Sequence, residues 1–316
     1  MTDWLLILAG LVLLFFGGEF LVKGSGALAL RLGVSPLVAG LTVVAFGTSS
    51  PELLVSLQAA LKGEGAIAVG NVVGSNSFNI GLILGVTALI FPLRVQLQIL
   101  RFDAPLMVGV SLVLWWMLRD SFLSRTEGIL LVIGLVTYVI ATVRIASRSG
   151  ENADVTAEFE ESVPKPRGSA GRDAGLIGVG LALLVVGSKL MLAGAISVAR
   201  EVGVSEAVIG LTIVAAGTSL PEVAASLVAA LKKEPDIALG NIVGSNLFNI
   251  LGILGVSALA RPLVAPGIGT LDLWVMIGFA LLLTIATTTA RRLDRWEGGV
   301  LLLAYVAYVW HLVPKS

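Results

Sequence analysis

The sequence predicts an all-α, polytopic membrane protein with ten transmembrane helices in two five-helix repeats of inverted topology. Hydrophobic residues make up 56% of the 316 residues and charged residues only 13%, against about a quarter charged in soluble proteins. The apolar runs are mostly about 17–25 residues long, the length that crosses a bilayer as a helix. The first half of the chain also recurs, 170 residues later, in the second half.

Each half contains five of the apolar runs. Because five is an odd number, the second half enters the membrane from the opposite side, as in the inverted repeats of many secondary transporters. The first run begins with Asp3 instead of a basic segment and has a counterpart at Leu176–Leu190, so we interpret it as a retained helix and not as a signal peptide. The predicted spans are 4–22, 35–61, 66–91, 103–118, 126–146, 174–199, 205–231, 236–260, 270–290 and 296–313.

Charge distribution divides the chain and orients it. Residues 1–146 form the predicted first repeat, 147–173 a polar linker and 174–316 the second repeat. Lys and Arg are more frequent in the linker and the other loops after odd-numbered spans than elsewhere outside the spans. The positive-inside rule therefore predicts a cytoplasmic linker and both termini outside. We expect a multi-pass protein of the cell (inner) membrane, embedded in lipid.

The strongest internal repeat places one carboxylate in the middle of an apolar span in each half. Gly40–Leu61 and Gly210–Leu231 are identical at 15 of 22 positions, and the copies contain Glu52 and Glu222. A charge at this depth is costly and usually functional. A single buried Glu could be a structural partner of a Lys, but duplication with all neighbouring oxygen donors favours a functional pair.

The residues around each glutamate predict a broken helix lined with oxygen atoms. Thr48 and Ser49 precede Glu52 by four and three residues, so their hydroxyls share its face. Pro51 has no N–H and frees the carbonyl of Gly47, and the exposed oxygens at such a break can coordinate a cation. The second copy repeats the arrangement with Gly217, Thr218, Ser219, Pro221 and Glu222.

A second repeated motif, GNxVGSNxFN, supplies neutral oxygen donors. Gly70–Ile80 and Gly240–Ile250 are identical at nine of eleven positions. Their polar residues recur every four positions and form one stripe on a helix. The two stripes are Asn71, Ser75 and Asn79 in the first half, and Asn241, Ser245 and Asn249 in the second.

Together the two motifs predict an all-oxygen site for hard cations. Ca²⁺ accepts six to eight oxygens in irregular geometry, whereas Mg²⁺ needs a near-ideal octahedron, so flexible carbonyls and two glutamates favour Ca²⁺. The same oxygens, divided among smaller sites, would hold Na⁺. Since either ion can neutralise the two carboxylates, the site permits exchange.

The absent residue types exclude other chemistry. The chain has no cysteine and one histidine, so the sequence offers no thiolate site and no imidazole cluster. No nucleophile–base arrangement is present, and we expect no enzymatic activity. We also expect no prosthetic group, no nucleic-acid partner and no obligatory protein partner.

The GTSxPE and GNxVGSNxFN motifs, present twice, closely resemble the two alpha-repeats of the cation/calcium exchanger superfamily, specifically the prokaryotic sodium/calcium exchangers. The resemblance covers all ten predicted spans. It implies an electrogenic antiporter that works by alternating access and exchanges three Na⁺ for one Ca²⁺. It also implies four ion sites between the second, third, seventh and eighth helices.

The resemblance assigns roles by motif position. Glu52 and Glu222 correspond to the central Ca²⁺ ligands, and Asn79 and Asn249 to residues that line the centre. Where Asn249 stands, some microbial and potassium-dependent relatives have Asp, which weakens the case for K⁺ co-transport. The remaining implied ligands are the carbonyls of Thr48 and Thr218 for Ca²⁺, and for Na⁺ Ser49, Ser75, Ser219, Ser245 and the carbonyls of Ala45 and Ala215.

Other functions stay open from the sequence. The proton-coupled branch of the superfamily has a different motif in place of GTSxPE, which favours Na⁺ coupling over an H⁺-coupled cation antiporter. A cation channel would need no counter-ion, and a membrane scaffold would bind no Ca²⁺.

The family resemblance also implies motion. It implies that the first and sixth helices slide as a pair, and Gly17, Gly18, Gly187 and Ser188 would suit close sliding. On the same two helices, Glu19 and Lys189 occupy equivalent positions. They are expected to pair with each other across the pseudo-symmetry axis, or each to extend separately to the membrane surface or pair locally, Glu19 with Lys23.

Overall fold

A computed structural model describes residues 2–32, 35–148, 169–201, 215–266 and 268–312. Most of the predicted linker 147–173 and residues 205–214 of the predicted seventh span lie outside these ranges. The helices of the first half are α1 (Thr2–Leu32), α2 (Pro36–Thr48), α3 (Ser50–Lys62), α4 (Gly65–Ile90), α5 (Ile99–Asp120) and α6 (Arg125–Arg148). Those of the second half are α7 (Ala170–Glu201), α8 (Ala215–Thr218), α9 (Leu220–Leu231), α10 (Pro235–Ala260), α11 (Thr270–Ala290) and α12 (Arg295–Leu312).

The described residues are mostly helical, as the sequence predicts. Seven of the helices are long and apolar enough to cross a membrane, and α2 with α3, bent by 47°, makes an eighth. The seventh predicted span is represented by α8 and α9, because residues 202–214 are not described. The first helix is longer than predicted: it continues past residue 22 to Leu32 and stops before Pro36, which cannot continue a helix.

Local sequence sets several helix ends in both halves. Ser124 and Glu127 form a capping box at the start of α6, where Glu127 Oε2 accepts the Ser124 N–H at 2.8 Å. Glu297 accepts the Asp294 N–H at 2.8 Å before α12. After α3 the chain turns at Gly63 with φ 87°, a conformation that glycine adopts without steric cost.

Two helices, α4 and α10, form the centre of the molecule. The most apolar window of α4 is 72% buried and that of α10 is 89% buried, against 22% for α6 and 28% for α7. The last helix of each half packs against the central helix of the other half: α6 against the end of α10, and α12 against α4. The two halves are therefore interlocked around α4 and α10.

Two short strand pairs also join the halves. Strand β1 (Leu93–Arg94) pairs antiparallel with β4 (Arg292–Leu293), and β2 (Phe122–Leu123) with β3 (Leu263–Val264). The 170-residue offset carries β1 onto β3 and β2 onto β4. The two pairs are thus copies of one contact.

On one side of this centre, α1 and α7 pack antiparallel through glycines. A Cβ on Gly10 would lie 2.6 Å from the backbone N of Met191, and one on Gly180 would lie 2.7 Å from the backbone N of Leu21. Backbones approach this closely only where side chains are absent. Arg31 and Asp173 add an ion pair at one end of the same interface. The two helices therefore form one unit.

This arrangement corrects part of the sequence interpretation. Gly17 and Gly187 face the α1–α7 interface, so they hold the pair together instead of facing a sliding surface. Gly18 lies against α9, and Ser188 contacts the break between α8 and α9. The predicted pairing of Glu19 is also wrong: its carboxylate accepts a hydrogen bond from Lys232 Nζ at 2.8 Å.

Candidate cation site

Both helices that carry the GTSxPE motif are interrupted where the sequence predicts. Ser49 (φ −80°, ψ 6°) separates α2 from α3, and Ser219 (φ −89°, ψ 8°) separates α8 from α9. The proline two residues later cannot donate to the helix ladder and sits in the first turn of the new helix, a position it favours. The break leaves Glu52 and Glu222 in the first turns of α3 and α9, where a helix N-terminus stabilises negative charge.

The two glutamates are held by serines of the opposite half. Ser49 Oγ donates to Glu222 Oε1 at 2.8 Å, and Ser219 Oγ donates to Glu52 Oε1 at 2.9 Å. Both carboxylates are 1% exposed and close enough to repel each other. Two buried like charges that have only neutral hydroxyl and backbone N–H donors around them are far from compensated, because a buried charge needs an opposite charge or full hydrogen bonding.

The central helix α4 supplies a second wall. The Ser75 hydroxyl lies 3.3 Å from Ser219 Oγ, which places it beside Glu52. Asn71 Nδ2 donates to Ser56 Oγ at 2.9 Å and to the Glu52 carbonyl at 3.4 Å, so it fixes α3 on α4. Asn71, the first residue of the predicted polar stripe, therefore holds two helices together.

The same wall is built from α10 in the second half. Asn241 Nδ2 donates to Ser226 Oγ at 2.8 Å and to the Glu222 carbonyl at 3.5 Å. Its Oδ1 accepts from Thr48 Oγ1 at 3.1 Å, which ties α10 to the break in the first half. Ser245 is fully buried beside these residues on α10.

The two remaining asparagines of the stripes begin π-helical turns. Asn79 opens the turn Asn79–Leu84 in α4, and Asn249 opens Asn249–Leu254 in α10. The first turn packs on α9 and the second on α3, the helices that carry the glutamates. A π turn widens the helix locally and is frequent at functional sites.

Five buried side-chain oxygens of this region have no hydrogen-bond partner among the described residues. They are Glu52 Oε2, Glu222 Oε2, Asn79 Oδ1, Asn249 Oδ1 and Ser245 Oγ. The carboxylate and amide oxygens only accept hydrogen bonds and cannot satisfy one another. Leaving such groups buried costs about 1–3 kcal/mol each. This oxygen set fits a hard cation such as Ca²⁺ or Na⁺.

The carbonyls predicted as ligands lie at the breaks. Ala45 O accepts the Ser49 N–H at 3.0 Å and lies 3.4 Å from Thr48 Oγ1, and the Thr218 side chain lies beside the Glu52 carboxylate. Ala215 begins α8, the last turn before the second break. The predicted release of a backbone oxygen is seen at Gly217, whose carbonyl accepts from Ser188 Oγ of α7 at 2.6 Å.

Within the described ranges, no three His, Cys, Asp or Glu side chains come together. A cation in this region would therefore be held by two carboxylates and by neutral oxygens. Sequence reasoning found those residues but overlooked Asn76 and Asn246, which lie between the predicted ligands. The available signal was their recurrence at the 170-residue offset.

A bundle of apolar helices around buried, oxygen-lined helix breaks defines a membrane transporter of ions. The family model described as "Sodium/calcium exchanger protein" matches residues 2–144 and 173–313, one match in each half. The chain belongs to the sodium/calcium exchanger family.

Similar proteins cover almost the whole chain. It is 40% identical to the "Putative antiporter CaxA" of Alkalimonas amylolytica, over 97% of each chain. It is 34% identical to the "Sodium/calcium exchanger MaX1" of Methanosarcina acetivorans, over 98% of this chain and 97% of the relative. A solved structure of the sodium-calcium exchanger NCX_Mj superposes with a TM-score of 0.84 at 32% identity, over 99% of each chain.

Proposed function

We propose that the protein is an antiporter that exchanges Na⁺ for Ca²⁺ across the membrane by alternating access. The observation that carries the proposal is the reciprocal pairing of Ser49 with Glu222 and of Ser219 with Glu52. This pairing joins both helix breaks into one buried site, where several oxygens have no hydrogen-bond partner within the described ranges. A substrate bound there touches both halves at once, as alternating access requires.

Charge balance explains why exchange would be obligatory. With no cation bound, the two carboxylates repel each other in a place that water hydrates poorly, which opposes reorientation of the site. One Ca²⁺ or several Na⁺ ions offset this charge. If three Na⁺ replace one Ca²⁺, each cycle moves one net positive charge, so the exchange is electrogenic.

The proposed topology is ten transmembrane helices in two inverted repeats, residues 1–146 and 174–316. The family match to each half and the copied strand pairs support it. The linker 147–173 is cytoplasmic and both termini lie outside the cell (inner) membrane. The proposed ligands are the twelve residues that the sequence motifs assign, with Glu52 and Glu222 at the centre.

Two relatives support the choice of ions. MaX1 is named a sodium/calcium exchanger. The NCX_Mj structures describe extracellular ion exchange and binding-site occlusion, and their crystals were soaked with Na⁺, Ca²⁺ or Sr²⁺. Neither relative fixes the coupling ion of this chain, and the name of CaxA states only an antiporter.

The test is uptake of radioactive Ca²⁺ into proteoliposomes that contain the purified protein. We expect uptake when the vesicles are loaded with Na⁺, no comparable uptake with an outward H⁺ or K⁺ gradient, and stimulation by an inside-positive potential, because three Na⁺ leaving for one Ca²⁺ entering moves one positive charge out of the vesicle. Glu52→Gln and Glu222→Gln should each abolish uptake, because each removes half of the compensating charge and leaves nearly the same shape. Uptake without any gradient would identify a channel and contradict the proposal.

An H⁺-coupled cation antiporter is the second candidate. Two buried carboxylates can be neutralised by protons as well as by Na⁺, and this is the observation that favours it. The same vesicles decide between the candidates, since Ca²⁺ uptake driven by an outward H⁺ gradient in the absence of Na⁺ would establish proton coupling.

A further inference from the structure

Asn76 and Asn246 form a closed set of hydrogen bonds across the boundary between the halves. Asn76 Nδ2 donates to the Asn246 carbonyl at 3.1 Å, and Asn246 Nδ2 donates to the Asn76 carbonyl at 3.3 Å. Their side-chain oxygens accept from the next asparagines: Asn79 Nδ2 donates to Asn246 Oδ1, and Asn249 Nδ2 to Asn76 Oδ1, both at 3.0 Å. All four side chains are 1% exposed.

The chemistry of the groups fixes which way each amide faces. A backbone carbonyl only accepts, so the atom of Asn246 that meets the Asn76 carbonyl must be the NH₂ group. The other atom of Asn246 is then its oxygen, which requires the NH₂ group of Asn79 as its donor. Only the oxygen of Asn79 is left, and it is one of the buried oxygens for which the described part of the chain offers no partner.

The same steps apply to the second half. The Asn246 carbonyl requires the NH₂ group of Asn76, whose oxygen requires the NH₂ group of Asn249. Among the described residues, the oxygen of Asn249 has no hydrogen-bond partner, and neither has that of Asn79. Without this relay an asparagine can turn its amide over at little cost in shape, since its N and O atoms are nearly equal in size.

We propose that Asn76 and Asn246 are positioning residues that turn the oxygens of Asn249 and Asn79 toward the transported cation and keep their NH₂ groups away from it. The inference rests on the proposed function, because it assigns a purpose to amides at the proposed cation site. An NH₂ group facing a cation repels it, whereas a carbonyl oxygen binds it. Each half therefore sets the ligand of the other half.

The test begins with Asn246→Ala, which removes the acceptor that holds Asn79. Asn76 keeps its bond to the Asn246 backbone carbonyl, so the orientation of Asn249 is retained. We expect the KM for Na⁺-driven Ca²⁺ uptake to rise about tenfold, the loss of one oriented polar contact to a charge, with a smaller change in kcat. Equilibrium dialysis against Ca²⁺ should show the same rise in Kd.

A second substitution separates orientation from packing. Asn79→Asp supplies two equivalent oxygens, so no orientation is needed, and in the Asn246→Ala background it should restore most of the Ca²⁺ affinity. Asn249→Asp in that background is the matched control, because it adds the same charge at a residue whose amide oxygen already has the correct orientation. It should restore much less.

The equivalent substitutions in the other half provide a second test in case Asn246→Ala does not fold. Asn76→Ala should be rescued by Asn249→Asp and less by Asn79→Asp. Absence of Na⁺-driven uptake by the wild-type protein would refute the proposed function. Uptake by the wild-type protein with an unchanged KM in both alanine variants, or equal rescue by both aspartates, would overturn the relay.

Discussion

At the scale of single residues, the buried site shows how pairs of equivalent side chains acquire different partners. Ser75 lies 3.3 Å from Ser219 Oγ, whereas Ser245, its counterpart, has no hydrogen-bond partner among the described residues. The sequence gives both serines the same motif and the same neighbours. Their different contacts arise because the two helix breaks pack differently against α4 and α10. Only three-dimensional packing therefore distinguishes Ser75 from Ser245.

Glu234 is a second residue with an unusual setting, in the turn between α9 and α10. Burial, together with the nearby Asp236 carboxylate, raises the pKa of Glu234 to about 7, although Lys232 acts in the opposite direction. Its Oε2 atom is buried without a hydrogen-bond partner in the described structure. Because the folded protein holds the proton more tightly than the unfolded chain, this group favours folding at low pH and loses that contribution as pH rises toward 7.

We therefore expect Glu234→Gln to stabilise the protein at alkaline pH. Gln cannot ionise, so the melting temperature of the variant relative to wild type should increase between pH 5 and pH 8, by about 2–4 °C for each 1 kcal/mol involved. Thermal unfolding in detergent measures the difference. The matched control is Glu64→Gln at the equivalent, exposed position of the first half. Parallel pH profiles for wild type and Glu234→Gln would contradict this account.

At the scale of helices, the contact between α1 and α7 depends on glycines that face each other. Gly180 meets the backbone of Leu21 and Gly17, at 2.7 and 2.9 Å from the position of a Cβ. Gly178, two residues away in α7, has nothing within 4 Å. The same substitution at these two sites therefore separates close packing from helix propensity.

Gly180→Ala should destabilise the protein, because its methyl group would overlap backbone atoms that cannot move aside. Overpacking of this kind costs about 1–3 kcal/mol. Gly178→Ala should be neutral or slightly stabilising, since Ala forms helices better than Gly by about 1 kcal/mol. Thermal unfolding of the two variants in one detergent makes the comparison, and equal melting temperatures would show that the helices do not touch here.

Sequence reasoning located the helices that the structure describes and both breaks, but it missed contacts between helices. The positions of Pro51 and Pro221 predict both breaks, because the missing N–H acts locally. The partners of Gly17 and Glu19 depend on how α1 is docked, which no local pattern specifies. A one-residue register difference shows the same limit: Tyr138 pairs with Asp103, whereas its equivalent Tyr308 pairs with Asp272.

That register difference has a local cause that the sequence did not reveal. Ile99–Asp103 forms a π-helical turn in the first half, and a π turn accommodates one extra residue. Asp103 and Asp272 are therefore 169 residues apart, although the tyrosines they contact keep the 170-residue offset. Motif spacing alone would have paired Asp103 with Leu273.

At the scale of the whole molecule, the unit of α1 and α7 sits asymmetrically on two similar halves. Leu181 of α7 covers Gly47 at the first break, and Leu192 covers Gly217 at the second. Leu11, the equivalent of Leu181 on α1, is 47% exposed. Instead, α1 packs along α9, and within the described residues α7 has no comparable packing on α3. Exchanging the roles of the two similar halves would give a mirror arrangement, in which α7 packs along α3.

The charges at the edge of this unit favour the arrangement seen. Glu19 of α1 pairs with Lys232 at the end of α9. In the mirror arrangement their equivalents, Lys189 and Lys62, would meet, and both are positive. Only one of the two arrangements therefore gains an ion pair. Since the side chains are 32% and 37% exposed, the pair contributes at most about 1 kcal/mol, a several-fold change in population.

A pair of cysteines at the mirror positions can report the opposite arrangement. Lys62→Cys and Lys189→Cys introduce the only thiols, because the sequence has no cysteine. In this background, Lys232→Glu places two negative charges together and should raise the rate of cross-linking by a bifunctional maleimide a few-fold. Adding Glu19→Lys restores the opposite charges and should return the rate to its starting value. If Lys232→Glu and the charge-swapped variant cross-link at the same rate, the ion pair does not bias the position of α1, and packing at Gly18 against Ala224 and Val228 alone accounts for it.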